Sequence, residues 1–208
     1  MTERTIKPDG QADGQVRDDD RLYWRETASP LGTLTLVASE RGLCSVEFGA
    51  FADVAGRLAE WAGRWWREPV LAPAPEGHPL LAAAQRQLDA YFRGELNAFT
   101  IPLDLRGTPF QLKVWEALCR VPYGATASYG EIAAAVGRPK ASRAVGGANN
   151  RNPVPIIVPC HRIIGADGSL VGYGGGLWIK EHLLALEGAL PISSARPSAE
   201  KPAAAAGA

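Results

Sequence analysis

Strand-like apolar runs fill residues 22–48, and the apolar positions then switch to a helical spacing. Residues 22–27, 33–38 and 43–48 are three short runs of aromatic, β-branched and leucine side chains. Gly32 and Glu40-Arg41-Gly42 punctuate them, which predicts an antiparallel meander. Val54, Leu58, Trp61 and Trp65 then recur at helical spacing, predicting a helix over residues 52–65. Residues 69–79 read as a Pro-rich connector, residues 80–92 as an amphipathic helix ending near Gly94, and residues 99–105 as one more short strand.

The pattern resumes near Gly107. Phe110, Val114, Trp115 and Leu118 give residues 109–120 a helical face. After Pro122-Tyr123-Gly124, residues 128–136 read as a short helix. Ser128 is its N-cap, and Glu131 three positions on completes a capping box. Gly137-Arg138-Pro139 breaks it, and residues 141–148 form a second short helix. Two short helices across a tight turn are either a helix-turn-helix or an ordinary helical hairpin. Residues 156–158 are an apolar run between Pro155 and Pro159, predicting a buried strand. Residues 163–164 and 170–171 flank Gly165-Ala166-Asp167-Gly168 like a hairpin, the place of a wing. Residues 178–186 are the last helix.

Composition narrows the picture. The chain has 208 residues, 46% of them hydrophobic, enough for one or two domains with real cores. No apolar run reaches the length of a membrane span. The first residues lack a signal-peptide core, so a cytoplasmic location is expected. Residues 1–20 and the Pro/Ala/Ser-rich residues 191–208 are expected to be flexible. Net charge is formally zero but uneven. Residues 1–106 carry 12 Lys+Arg against 16 Asp+Glu, and residues 107–190 carry 8 against 5. The later block is mildly basic and can face phosphates.

Three cysteines, Cys44, Cys119 and Cys160, are too few for a disulfide framework and lack zinc-site spacing. Cys44 and Cys119 fall on apolar faces and read as inert filler. Cys160 stands in Pro159-Cys160-His161-Arg162 after an apolar run. An imidazole and a guanidinium beside it can favour the nucleophilic thiolate; a buried structural cysteine is the alternative. His78 and His182 read as surface residues. Glu187, just before Gly188, is a candidate to orient His161, since a carboxylate at a helix C-terminus is otherwise unfavourable. Gly146-Gly147 and Gly172 to Gly176 suit close backbone approach or a flexible loop. No Lys-Ser/Thr follows that would make a phosphate loop.

These residues carry a resemblance. Pro159-Cys160-His161-Arg162, preceded by Arg143 to Ala148 and by Asn152-Pro153-Val154-Pro155, resembles the O6-alkylguanine-DNA alkyltransferase family (methylated-DNA–protein-cysteine methyltransferases). Tyr129-Gly130-Glu131, Tyr173 to Leu177, Lys180-Glu181 and Leu186-Glu187-Gly188 extend it across residues 107–188. The first block resembles the family only in its order of elements. The resemblance implies an α+β protein: a small N-terminal antiparallel-sheet, ribonuclease-H-like support domain over residues 21–106, then a mostly helical, winged helix-turn-helix-like domain over residues 107–190.

It also implies roles. Cys160 would accept the alkyl group from O6 of guanine, once and irreversibly. His161 would draw off its proton through a water, with Glu187 orienting the imidazole. Asn152 would brace the turn before the acceptor, and Tyr129 would help protonate the leaving base. Arg143 would enter the duplex and fill the space of the flipped nucleotide. Ser128, Ala141, Gly146, Gly147, Ala148 and Arg151 would make the DNA face. Tyr173, Gly174, Ile163 and Lys180 would surround the substrate pocket. Duplex DNA containing O6-alkylguanine is the implied partner of a monomer, with O4-alkylthymine a further candidate substrate. The reaction needs no cofactor and no metal; Cys44 and His78 do not reproduce the zinc site of some animal members. Gly174, where the family often has Ser or Gly, suggests a pocket tolerant of larger alkyl groups. Three other classes stay open here: a non-catalytic lesion sensor, a thiol hydrolase using Cys160 and His161, and a plain winged-helix regulator.

Overall fold

Four strands and two helices build the first half of the chain. A computed structural model describes residues 20–190. The expectations for residues 1–19 and 191–208 lie outside the described residues. β1 (Arg21–Ser29), β2 (Gly32–Ala38) and β3 (Leu43–Phe48) form the expected antiparallel meander. The supposed connector supplies a fourth strand, β4 (Val70–Pro73), which pairs in parallel with β1. The sheet is therefore mixed, in the order β3-β2-β1-β4. Proline is tolerated in β4 because an edge strand needs donors on one side only.

Both faces of the sheet are covered, which is why β2 is buried along most of its length instead of alternating. Helix α1 (Phe51–Gly63) sets Val54, Leu58 and Ala62 against Leu22, Val37 and Cys44 on one face. Helix α2 (Pro79–Phe92) sets Leu81, Ala84, Leu88 and Tyr91 on the other. His78 is buried, not on the surface: its side chain accepts the amide of Leu81 and caps α2.

Residues 99–105 do not form a strand. Leu43 and Leu103 make an isolated parallel bridge at the outer edge of β3. The Leu43 amide donates to Pro102 O at 2.8 Å, and the Asp104 amide donates to Leu43 O at 3.0 Å. Farther along the same edge the Val46 amide donates to Pro153 O at 2.8 Å, a carbonyl from the second half of the chain.

The second half is helical: α3 (Pro109–Cys119), α4 (Tyr129–Ala135), α5 (Ser142–Asn150) and α6 (Leu177–Leu186). Gly107 lets the chain pass over the Trp115 ring; a Cβ there would sit 2.6 Å from it. The capping box of Ser128 and Glu131 is present at the start of α4. The run 156–158 is buried as expected, but it is irregular and not a strand. Pro153, Pro155 and Pro159 remove ladder donors, and Ile156 adopts φ of 74°, a strained conformation for a β-branched residue. The expected wing is absent as a hairpin. β6 (Ile163–Ile164) pairs in parallel with β5 (Ala127–Ser128), and the 165–169 segment is a turn closed by Gly165 N to Ser169 O at 2.8 Å.

One apolar core joins the halves. It runs from Leu34, Leu36 and Val46 through Leu88 and Tyr91 to Val114, Leu118, Val145, Ile156, Cys160 and Leu183. Among the described residues, no helix is long and apolar enough to cross a membrane.

Candidate active site

Cys160 lies at the start of a single 3₁₀ turn, Cys160–Arg162, framed by Pro159 and leading into β6. It is 4% exposed. On this turn the side chains of Cys160, His161 and Arg162 are all buried. The preceding segment is held by Asn152. Its Oδ1 accepts the Val154 amide at 3.0 Å and its Nδ2 donates to Val158 O at 2.8 Å. The Cys160 amide donates back to Val158 O at 2.8 Å, and Asn149 Nδ2 donates to Cys160 O at 3.3 Å.

His161 is wholly buried. Its Nε2 lies 2.8 Å from Glu187 Oε1. Glu187, the C-cap of α6, is itself buried and receives five donors. Oε1 accepts from His161, from the Tyr91 hydroxyl at 2.7 Å and from one Arg162 amino group at 3.0 Å. Oε2 accepts from Arg162 Nε at 2.8 Å and from the Gly124 amide at 3.3 Å. Burial opposes the carboxylate, but His161 and Arg162 outweigh it and hold Glu187 down to about 2. A carboxylate in that state only accepts, so the hydrogen between the two groups belongs to His161 Nε2. Nδ1 then carries the lone pair, and it has no hydrogen-bond partner among the described residues.

The resting charges follow. Burial pushes the Cys160 thiol up; Asn152, Tyr173 and Lys180 oppose that. Burial pushes His161 below its ordinary value despite Glu187. The site therefore rests as a thiol, a neutral imidazole and a carboxylate. The nucleophile here is a protonated thiol, not a standing thiolate.

Around the sulfur stand Tyr173, whose buried hydroxyl has no hydrogen bond of good geometry, and Lys180. Lys180 is fully buried, and its ammonium donates to Ile163 O and to Val171 O at 3.0 Å. Burial lowers it to about 8, against a raising pull from Cys160. Tyr129, at the first position of α4, is raised by burial and then by Cys160. Its ring is the nearest neighbour of Gly146 on α5; a Cβ added there would lie 3.8 Å away. Tyr129 thus joins the pocket to the α4–α5 face. A Cβ at Gly174 would meet nothing within 4 Å.

Arg143 is exposed near the start of α5 and makes no hydrogen bond or ion pair among the described residues. The Ser128 side chain caps α4, Ala141 stands at the N-cap position of α5 without a side-chain bond, and Arg151 donates to Gly147 O at 3.3 Å. Ala148 does not belong to this surface. It is 2% exposed, and its carbonyl accepts Trp115 Nε1 at 2.8 Å. Two further expectations need correcting. Cys119 is exposed, not buried filler. The Arg162 guanidinium does not serve the thiol; it is spent on Glu187 and Val121 O. Sequence reasoning missed Tyr91 and Asn149. Asn149 sits three positions before Asn152, a spacing that could have raised it; Tyr91 reads as one more apolar position of α2.

Residues 22–105 match the family model for the ribonuclease-like domain of 6-O-methylguanine DNA methyltransferase, and residues 109–189 match that for its DNA binding domain. A methylated-DNA–protein-cysteine methyltransferase of Methanosarcina acetivorans is 48% identical over 167 residues, covering 80% of this chain and 99% of that relative. The crystal structure of Mycobacterium tuberculosis O6-methylguanine methyltransferase is 46% identical, with a TM-score of 0.66 over 80% of this chain and 93% of that one. A structure of the Mycobacterium tuberculosis protein in complex with DNA is 46% identical, with a TM-score of 0.67 over 80% and 92%.

Proposed function

The chain belongs to the 6-O-methylguanine DNA methyltransferase family, and from that premise we propose that Cys160 is the residue that takes the alkyl group. The protein repairs alkylated DNA by transfer of the group to a cysteine. One observation carries the assignment to Cys160. Among the cysteines, it alone is followed in the chain by a buried histidine whose Nε2 is bonded to a carboxylate.

The chemistry follows from that arrangement. The thiol proton passes through a water to His161 Nδ1, and Glu187 stabilises the imidazolium that forms. The sulfur electron pair forms the C–S bond at the alkyl carbon as the carbon–O6 bond breaks. The departing pair is neutralised by a proton from Tyr129 onto the guanine. The thioether has no leaving route, so each molecule reacts once. No metal or organic group is required by this balance.

The substrate is O6-alkylguanine in duplex DNA. The alkyl carbon is hidden in the base stack, so the nucleotide must swing out, at a cost of about a few kcal/mol. Arg143 is free to fill the gap it leaves, and Gly146 and Gly147 permit close approach of α5 to the groove. The protein acts as a monomer. A reduced acceptor thiol suits the cytoplasm. The open space at Gly174 suits alkyl groups larger than methyl; rates that strongly favour O6-methyl over O6-benzyl adducts would count against that tolerance.

The deciding experiment is intact-mass spectrometry after mixing the protein with duplex DNA carrying O6-methylguanine. The protein should gain one CH₂ unit, mapped to Cys160 and absent in Cys160→Ala. Binding without mass gain would instead indicate a lesion sensor. Arg143→Ala should slow reaction with the duplex far more than with free O6-benzylguanine; equal losses on both would remove Arg143 from the flipping role.

A further inference from the structure

Tyr91 belongs to α2, 96 residues before the carboxylate that its hydroxyl touches. The side chain is fully buried in the core that joins the two halves. Packing alone asks for a ring there, and phenylalanine would supply it. A phenol oxygen buried in an apolar core costs free energy unless it is bonded. Its bond goes to Glu187 Oε1, the same oxygen that accepts His161 Nε2, at 2.7 Å and 2.8 Å.

An oxygen that serves several donors offers less to each. Arg162 and His161 face Glu187 from the 3₁₀ turn, and the Gly124 amide from the turn before β5. Tyr123 lies nearby, with its hydroxyl on Leu186 O. Lys180 of α6, Cys160 and Tyr173 are the remaining titratable groups around the pair. Among these groups Tyr91 alone comes from the N-terminal half, and it donates without bringing a charge.

We propose that Tyr91 is a positioning residue of the alkyl-acceptor site: its hydroxyl holds Glu187 Oε1 in place and limits the charge that this oxygen offers to the His161 imidazole. The N-terminal domain is then part of the reaction centre and not only its support. The proposal rests on the reading of Cys160, His161 and Glu187 given above.

Losing the hydroxyl leaves Oε1 a stronger acceptor, which favours the imidazolium. A base that is already protonated cannot take the thiol proton. In Tyr91→Phe the acidic limb of the rate–pH profile for reaction with free O6-benzylguanine should therefore move to higher pH. At a pH on that limb the rate should fall about two- to tenfold, the range of one hydrogen bond, with the alkaline plateau unchanged. The His161 titration, followed by ¹⁵N NMR in the DNA-free protein, should move the same way. Replacing Tyr91 with 3-fluorotyrosine, a stronger donor of nearly the same shape, should move both the other way.

A folded Tyr91→Phe protein with an unmoved profile and titration overturns the proposal. So does a uniform rate loss at every pH, which is what mere packing would give. If Tyr91→Phe does not fold, the 3-fluorotyrosine protein decides. If the native protein never alkylates Cys160, the assignment of the acceptor fails, and the His161 titration still decides Tyr91.

Discussion

His161 and Glu187 make the fold sensitive to acid, and their signs agree. Glu187 is held at about 2 against an ordinary 4.5. Its carboxylate therefore stabilises the native state above the ordinary value, and that contribution is lost as pH falls towards about 2. His161 is lowered from 6.5 by burial. As pH drops through 6.5 the unfolded chain takes up a proton that the folded chain refuses, which again favours unfolding. Thermal unfolding followed from pH 7 to 4 should show a steadily falling Tm; a flat curve would contradict the buried, neutral imidazole. Glu187→Gln should destabilise by about 3–5 kcal/mol at neutral pH, because it leaves the Arg162 guanidinium buried without its charge partner. At this scale the buried Cys160 and the His161–Glu187 pair were legible as a local motif and a helix end. The donors to that carboxylate were not. Arg162 was seen but given to the wrong partner, since adjacency in sequence says nothing of where a long side chain reaches. Tyr91 carries no polar signature at all until the chain is folded.

Helices were easier to read than extended segments. α2, α3 and α6 bury one apolar stripe each, so their spacing survives in the sequence. Ser128→Ala removes one side of the α4 capping box and should cost about 1 kcal/mol. The loss should appear as a lower denaturant midpoint with the same slope. Apolar runs misled wherever tertiary contact and not a ladder buries them. Residues 156–158 are framed by prolines and lie in the core without a strand partner, and β4 hides inside a stretch that reads as a connector. The loop before α6 was visible only as a glycine cluster. Gly175 shows what the cluster is for: a Cβ there would fall 2.8 Å from Ile179 Cδ1 and 3.0 Å from the Phe48 ring. Gly175→Val should therefore push the Tyr173 segment off the pocket. Slower alkylation of Cys160 with an unchanged affinity for undamaged duplex would be the expected result, and an unchanged rate would argue that the loop can yield.

For the whole molecule, the zero net charge conceals a mildly basic second half, where Arg143 and Arg151 sit on α5 and at its end. If about four phosphates are neutralised, log affinity for duplex DNA should fall against log salt with a slope near −3 to −4. A flat response would remove the proposed DNA face. The order of the helices and the α+β class could be read ahead of the structure, but the union of the halves could not. One core and one hydrogen-bond network run across the boundary that composition suggests. The outer edge of β3 belongs to that union, since the Val46 amide is satisfied by Pro153 from the second half. Cut away from that half, the sheet would keep its fold pattern but carry an open edge beside a bare apolar face, a template for another copy of itself. Residues 20–106 expressed alone should assemble into sheet-rich aggregates as concentration rises, measured by light scattering. On this account the second half of the chain would guard the first against self-association.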